Sequence, residues 1–254
     1  MIAANALGFR HPGQSAWLFR DLDFHLERGQ TLALLGRNGR GKTTLLKCLA
    51  GLLTPVEGTI ARDGAVGYVP QAFASPFPYS VFDVVLMGRA RHVGLFSTPT
   101  AEDRARAREA IAEIGLDAFA DRRIDTLSGG ERQLALIARA LAAQAEILLL
   151  DEPASALDFR NQAKLLALLR TLSRERGLTI LMTTHDPTHA LEIADRAVLL
   201  HGGGHAEEGA VADMCAEDRL TALYGLEMRR LEFDAGGRSA AGILPHYGAG
   251  YPRL

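Results

Sequence analysis

The sequence predicts an α/β fold in which a helical segment interrupts an alternation of buried strands and helices. Three observations carry this prediction. Residues 31–35 form an apolar run fit for a buried strand, enter a glycine-rich turn at 36–41, and give way from Thr43 to helical spacing with Leu45, Leu46 and Leu49 on one face. Strand and helix patterns alternate again from residue 146: strand 146–150, helix 159–176, strand 178–183, helix 187–194 and strand 197–200. Between these two regions, over residues 72–143, the strand signals fade. Strand, glycine turn, helix is the opening unit of an α/β domain.

Each element has a local reason. Gly51 is placed to close the first helix as a C-cap. Residues 54–70 carry Gly58, Gly64 and Gly67 between short Val, Ile and Tyr segments, which predicts small antiparallel strands. In the middle region a helix spans 100–115, opened by Thr100 and closed by Gly115, and its many charges form a solvated face. A second helix opens at Ser128. From about Asp218 the chain is rich in glycine, including Gly236, Gly237, Gly242 and Gly248, and predicts a peripheral, partly irregular tail.

The composition narrows the function. The 254 residues suffice to bury a substantial core, and 28 Lys plus Arg nearly balance 30 Asp plus Glu. A net charge of −2 argues against a surface built for phosphate backbones, so nucleic acid is not an expected partner. Cys48 and Cys215 have no second Cys or His at zinc-site spacing and read as buried thiols of a reducing compartment. The N-terminal residues lack the basic and apolar regions of a secretion signal, and no run approaches the roughly 20 apolar residues of a membrane helix. The expectation is a chain that neither spans a membrane nor leaves the cell.

Gly36, Arg37, Asn38, Gly39, Arg40, Gly41, Lys42 and Thr43 fit the pattern G-x-x-x-x-G-K-[ST], with Thr44 following, between a strand and a helix. A triphosphate needs many inward-pointing N–H donors. Glycines let the backbone approach it, and a helix N-terminus adds a favourable dipole. Lys42 is expected to reach the β- and γ-phosphates, and the Thr43 hydroxyl to serve Mg²⁺. Residues 147–153 place Asp151 and Glu152 at the end of a buried strand. Asp151 suits the Mg²⁺ shell, directly or through water, and Glu152 can orient and deprotonate an attacking water. This is the chemistry of a P-loop nucleotide hydrolase.

Ser128 and Glu131 fit an S-x-x-E capping box in front of Leu134, Ile137, Ala138 and Leu141. Capping does not explain Gly129 and Gly130, poor helix residues whose bare N–H groups suit close approach of a ligand. The run from Leu127 to Glu131 resembles the LSGGQ signature of the ATP-binding cassette (ABC) ATPases, with Glu131 in place of the final Gln. The resemblance covers residues 1 to about 215 and implies an ABC ATPase fold: a P-loop core at 1–71 and 144–217 with an antiparallel β subdomain, and an inserted α-helical subdomain at 72–143. The tail, 218–254, has no assigned role.

Further segments match the family in order. The run 68–71 resembles the Q-loop, whose Gln71 contacts Mg²⁺ and the attacking water. Residues 155–158 resemble the D-loop at the dimer interface, and His185 resembles the switch histidine that contacts the γ-phosphate. For the aromatic residue that stacks on adenine, the family pattern falls on His11, with Phe9 and Trp17 as alternatives. The resemblance further implies a homodimer in which Ser128, Gly129, Gly130 and Glu131 of one copy meet ATP on the P-loop of the other.

Residues 71–89 resemble the type II importer branch, which handles iron chelates, cobalamin, haem or molybdate and tungstate. That implies an integral membrane permease as partner, docked on the surface after Gln71, a substrate-binding protein acting indirectly, and a place at the cytoplasmic face of the membrane. An exporter ATPase would share every catalytic motif, and a cofactor-assembly ABC ATPase without a permease is a third reading. The short spacing from P-loop to signature leaves no room for the long coiled coil of chromosome-associated relatives.

Overall fold

The first strand, β1 (Ile2–Phe9), is buried at both ends around exposed Asn5 and Ala6, whereas β2 (Phe19–Leu26) alternates, burying Leu22, Phe24 and Leu26 on one face. A wholly buried strand, β3 (Thr31–Leu35), leads through a loop into α1 (Lys42–Leu49). After β4 (Glu57–Arg62) and β5 (Val66–Val69) come the helices α2 (Val81–Leu86), α3 (Ala101–Glu113) and α4 (Gly129–Ala142). Alternation resumes with β6 (Ile147–Leu150), α5 (Phe159–Arg174), β7 (Thr179–Thr184), α6 (Pro187–Ile193) and β8 (Arg196–Gly202). The last elements are β9 (His205–Ala210), α7 (Val211–Met214), α8 (Glu217–Tyr224), β10 (Met228–Asp234) and β11 (Ser239–Pro245). The structure is a computed structural model and describes residues 1–73, 77–94, 97–234, 236–237 and 239–248. Among the described residues no helix is long and apolar enough to cross a membrane.

The chain forms two compact units. The first comprises residues 1–2, 27–30 and 62–182. In it β5, β6 and β7 run parallel, Val66 opposite Ile147 and Ile147 opposite Thr179. Every residue of β6 and β7 is buried, as in parallel strands covered on both faces. Three of its helices, α2, α3 and α4, start on capping boxes: Ser80 with Asp83, Thr100 with Asp103 and Ser128 with Glu131. A buried ion pair joins Arg89 Nε to Asp103 Oδ1 at 2.9 Å, and Arg89 Nη1 also donates to the carbonyl of Ala142. Hydrogen bonds from Thr100, then from Arg89, hold the Asp103 carboxyl down at about 2. This pair ties the start of α3 to the end of α4.

The second unit comprises residues 3–26, 31–61 and 183–254. Here β3 and β8 are parallel, Leu32 opposite Arg196, and β8 turns back into β9. A separate sheet has the order β2, β1, β4. Gly58, at φ +80°, lies so close to the carbonyls of Asn5 and Ala6 that no side chain would fit there.

Two expectations need correction. Of the strands in 54–70, expected to be antiparallel, β5 instead joins β6 in parallel, where Gly67 lets the strand approach Ala140 and Ala145. Apolar patterning marks a strand without revealing its partner's direction. The tail is more ordered than its composition suggests. α8 buries Leu220 and Leu223, and β10 and β11 form an antiparallel hairpin that buries Met228 and Ile243. Gly236 and Gly237, at φ +69° and +85°, supply the turn region of that hairpin, and the Ile243 N–H donates to Thr188 Oγ1 at 3.1 Å.

Candidate functional site

The glycine-rich loop occupies residues 36–41 of the second unit, between buried β3 and α1. Gly39 and Gly41 have φ of +78° and +95°, a left-handed backbone that glycine adopts without strain. Gly36 lies against the carbonyl of Leu200, where a Cβ would come within 2.8 Å. Lys42 is buried, and its Nζ donates to the carbonyl of Gly36 at 2.7 Å, with the carbonyl of Arg37 at 3.5 Å. The ammonium thus folds back over the loop. Arg37, Asn38 and Gly39 are exposed at its tip, and Arg40, Gly41, Thr43 and Thr44 are partly buried along its return into α1.

In the first unit, Asp151 directly follows β6 at 3% exposure, its N–H donating to the carbonyl of Val69. Tyr68 is pushed up to about 12, first by burial and then by the charge and hydrogen bond of Asp151, so the phenol stays protonated and donates to that carboxylate. Glu152 follows with φ +45°, a strained conformation for a residue with a Cβ. The Ser155 N–H and Oγ both donate to the Glu152 carbonyl, at 3.2 and 3.0 Å, holding the turn. The Gln71 Nε2 donates to Glu152 Oε2 at 3.3 Å. The structure therefore brings Gln71 and Glu152, 81 positions apart, into contact.

The signature segment caps α4. The Ser128 N–H and Oγ donate to Glu131 Oε2 at 2.8 and 2.7 Å, and the Glu131 N–H returns a bond to Ser128 Oγ. The Ser128 bonds hold the Glu131 carboxyl below the usual range. Its carboxylate is thus engaged by its own helix cap. Gly129 sits near Ala156, and Gly130 sits near Leu157, where an added Cβ would come within 3.1 Å of the side chain. Both neighbours belong to the segment 155–158, whose Asp158 caps α5 by accepting from the Asn161 N–H at 2.8 Å.

His185 lies exposed between β7 and α6, and its carbonyl accepts from the Tyr224 hydroxyl at 3.2 Å. His11 is exposed after β1, its ring edge-on to Phe9. Phe9 is itself buried and stacked on Phe19, which removes it as an adenine platform. Trp17 lies between the guanidinium groups of Arg10 and Arg20, each 4.8 Å from its ring. Of the segment after Gln71, Phe77 and Met87 are 59% and 42% exposed, while residues 74–76 lie outside the described residues. Sequence reasoning missed the Tyr68 contact with Asp151, which depends on strand register. It also missed α2, although Ser80 and Asp83 carry capping-box spacing.

A glycine loop closed over its own lysine between a buried strand and a helix defines a P-loop nucleotide-binding protein. The ABC transporter family model matches residues 19–155. The chain belongs to the ABC transporter family and is an ABC ATPase. It is 42% identical over 227 residues to the molybdate import ATP-binding protein MolC of Haemophilus influenzae, covering 89% of each chain. It matches the structure of a metal-chelate type ABC transporter in an inward-facing conformation with a TM-score of 0.93 and 39% identity, over 97% of both chains. It also matches a dimeric ATP-binding cassette in a post-hydrolysis state bound to ADP and Pi, with a TM-score of 0.71 and 26% identity, over 83% of this chain and 99% of that one.

Proposed function

We propose that the chain works as a pair of copies at the cytoplasmic face of a membrane, powering the import of a metal chelate or of an oxyanion such as molybdate. The 42% identity to MolC along nearly the whole chain carries this reading. The exposed Phe77 and Met87 support docking of a permease, as does a cavity of about 600 Å³ lined by Tyr79, Leu86, Met87 and Val93. A substrate-binding protein on the far side of the permease completes the system.

In each site the loop N–H groups of residues 36–41 and the Lys42 ammonium bind the phosphates of ATP. The Thr43 hydroxyl, the Gln71 amide oxygen and the buried Asp151 carboxylate are hard oxygen donors, a set that fits Mg²⁺. When bound, that ion would neutralise charge on the phosphates. Glu152 takes a proton from the attacking water as its oxygen bonds to the γ-phosphorus and the bond to the ADP oxygen breaks. Gln71, hydrogen-bonded to Glu152, orients that carboxylate. His185 contacts the γ-phosphate, and Ser128, Gly129 and Gly130 close over it from the second copy. Glu131 acts through Ser128 by holding the cap in shape.

Reconstitution with the permease in lipid vesicles tests the proposal. Hydrolysis stimulated by a binding protein loaded with molybdate or with an iron chelate is expected. Recovery of the chain only as a soluble complex, with no stimulation by either, would overturn it.

A further inference from the structure

We infer that His201, His205 and Glu207 form a binding site for a divalent transition cation on the hairpin between β8 and β9. The inference is independent of what the transporter carries. One ligand atom from each of the three residues lies within 4.8 Å of the others. The local backbone explains their convergence. His205 and Glu207 are two apart on β9 and share a face. The β8–β9 register is irregular between Leu200 and Gly202, a bulge that re-aims the intervening His201. Gly202, Gly203 and Gly204, at φ +89°, +64° and +90°, allow the tight return. Hydrogen bonding of the Arg20 N–H to the Gly204 carbonyl at 2.9 Å anchors that return to β2.

The donors are arranged for a cation. Glu207 Oε1 faces both imidazoles, 2.8 Å from His201 Nε2 and 3.5 Å from His205 Nε2. His201 Nε2 is shielded from solvent, yet it makes no hydrogen bond of proper geometry to that oxygen. The other oxygen, Glu207 Oε2, is engaged by Arg219, which leaves Oε1 as the ligand and orients it from outside. Ligands of a tetrahedral zinc, at roughly 2.0–2.1 Å from the ion, stand about 3.3–3.4 Å apart. The 3.5 Å pair thus already has the right spacing, and the 2.8 Å pair must open slightly to admit the ion. His205 is 65% exposed at its side chain and has room to move. Two imidazoles and one carboxylate suit Zn²⁺, Co²⁺ or Ni²⁺ and discriminate against Mg²⁺ and Ca²⁺. Cys48 and Cys215 are buried and offer no competing surface thiol. The hairpin also abuts the P-loop, since a Cβ on Gly202 would overlap the Arg40 side chain.

Metal binding to the full chain tests the site without any need for turnover. After removal of metals by chelation, titration with Co²⁺ is expected to give one equivalent per chain, with the visible absorption of a tetrahedral ion, and displacement by Zn²⁺ but not by excess Mg²⁺. His205→Ala and His201→Ala should each weaken binding at least about tenfold, whereas His92→Ala should leave it unchanged. Zn²⁺ should raise the thermal midpoint of the parent and not of His205→Ala, whose midpoint without metal reports that it is folded. Absence of stoichiometric binding, or unaltered binding in both histidine variants, would overturn the inference.

Discussion

Replacing Glu152 by Gln separates the carboxylate's chemistry from its place in the fold. The amide has the same shape and can still present an oxygen to Gln71 Nε2, now 3.3 Å from Glu152 Oε2. The Ser155 bonds reach the backbone carbonyl and are untouched. Both residues meet the same cost at φ +45°, so stability should stay within about 0.5 kcal/mol of the parent. Loss of a general base removes about 10²–10⁴ in rate. That corresponds to roughly 3–5 kcal/mol of barrier at 1.36 kcal/mol per decade. Steady-state phosphate release should therefore fall at least a hundredfold, while ATP affinity is retained and size-exclusion chromatography with ATP shows more dimer. Hydrolysis above a tenth of the parent rate would refute the assignment of Glu152 as the base. A companion, Glu152→Gly, tests the strain itself: it should be as inactive, yet more stable by up to about 1 kcal/mol. That gain would raise the melting midpoint by roughly 2–4 °C.

Other outcomes follow from the same geometry. Lys42→Ala removes a charged donor worth about 1.5–3 kcal/mol, so ATP affinity measured by titration should drop roughly 10- to 150-fold. His11→Ala removes at most a stacking contact of about 0.5–1.5 kcal/mol, a twofold to tenfold effect at roughly 1.4 kcal/mol per decade; an effect larger than that of Lys42→Ala would invert the ranking. The folded-state carboxyl of Glu131 lies below its ordinary value. Its contribution to stability is therefore complete above the unfolded carboxylate range and lost as pH falls through the depressed value. Melting curves in acid should show a steeper loss for the parent than for Glu131→Gln, and parallel curves would contradict this.

Local chemistry was legible in the sequence, and long-range placement was not. The loop from Gly36 to Thr43 and the helix starts at Thr100 and Ser128 were readable because glycine spacing and capping are decided within a few residues. The buried strands β3, β6 and β7 were readable from unbroken apolar runs. The partner of β5 was not, since parallel and antiparallel pairing bury the same side chains. The strain at Glu152 and the contact of Gln71 with it depend on how a turn is held, which no residue type announces. Phe9 and His11 were indistinguishable as adenine platforms until burial removed the first. His201, His205 and Glu207 carried no recognisable spacing because a bulge, itself invisible in the sequence, brings them together.

The inward fold of Lys42 onto the carbonyl of Gly36 bears on the net strength of any contact the ammonium makes. A buried cation with an acceptor in its own loop does not stand as an uncompensated charge. An anion that takes the ammonium therefore replaces one hydrogen bond by another, and the net gain is the difference between the two rather than the full worth of a new bond.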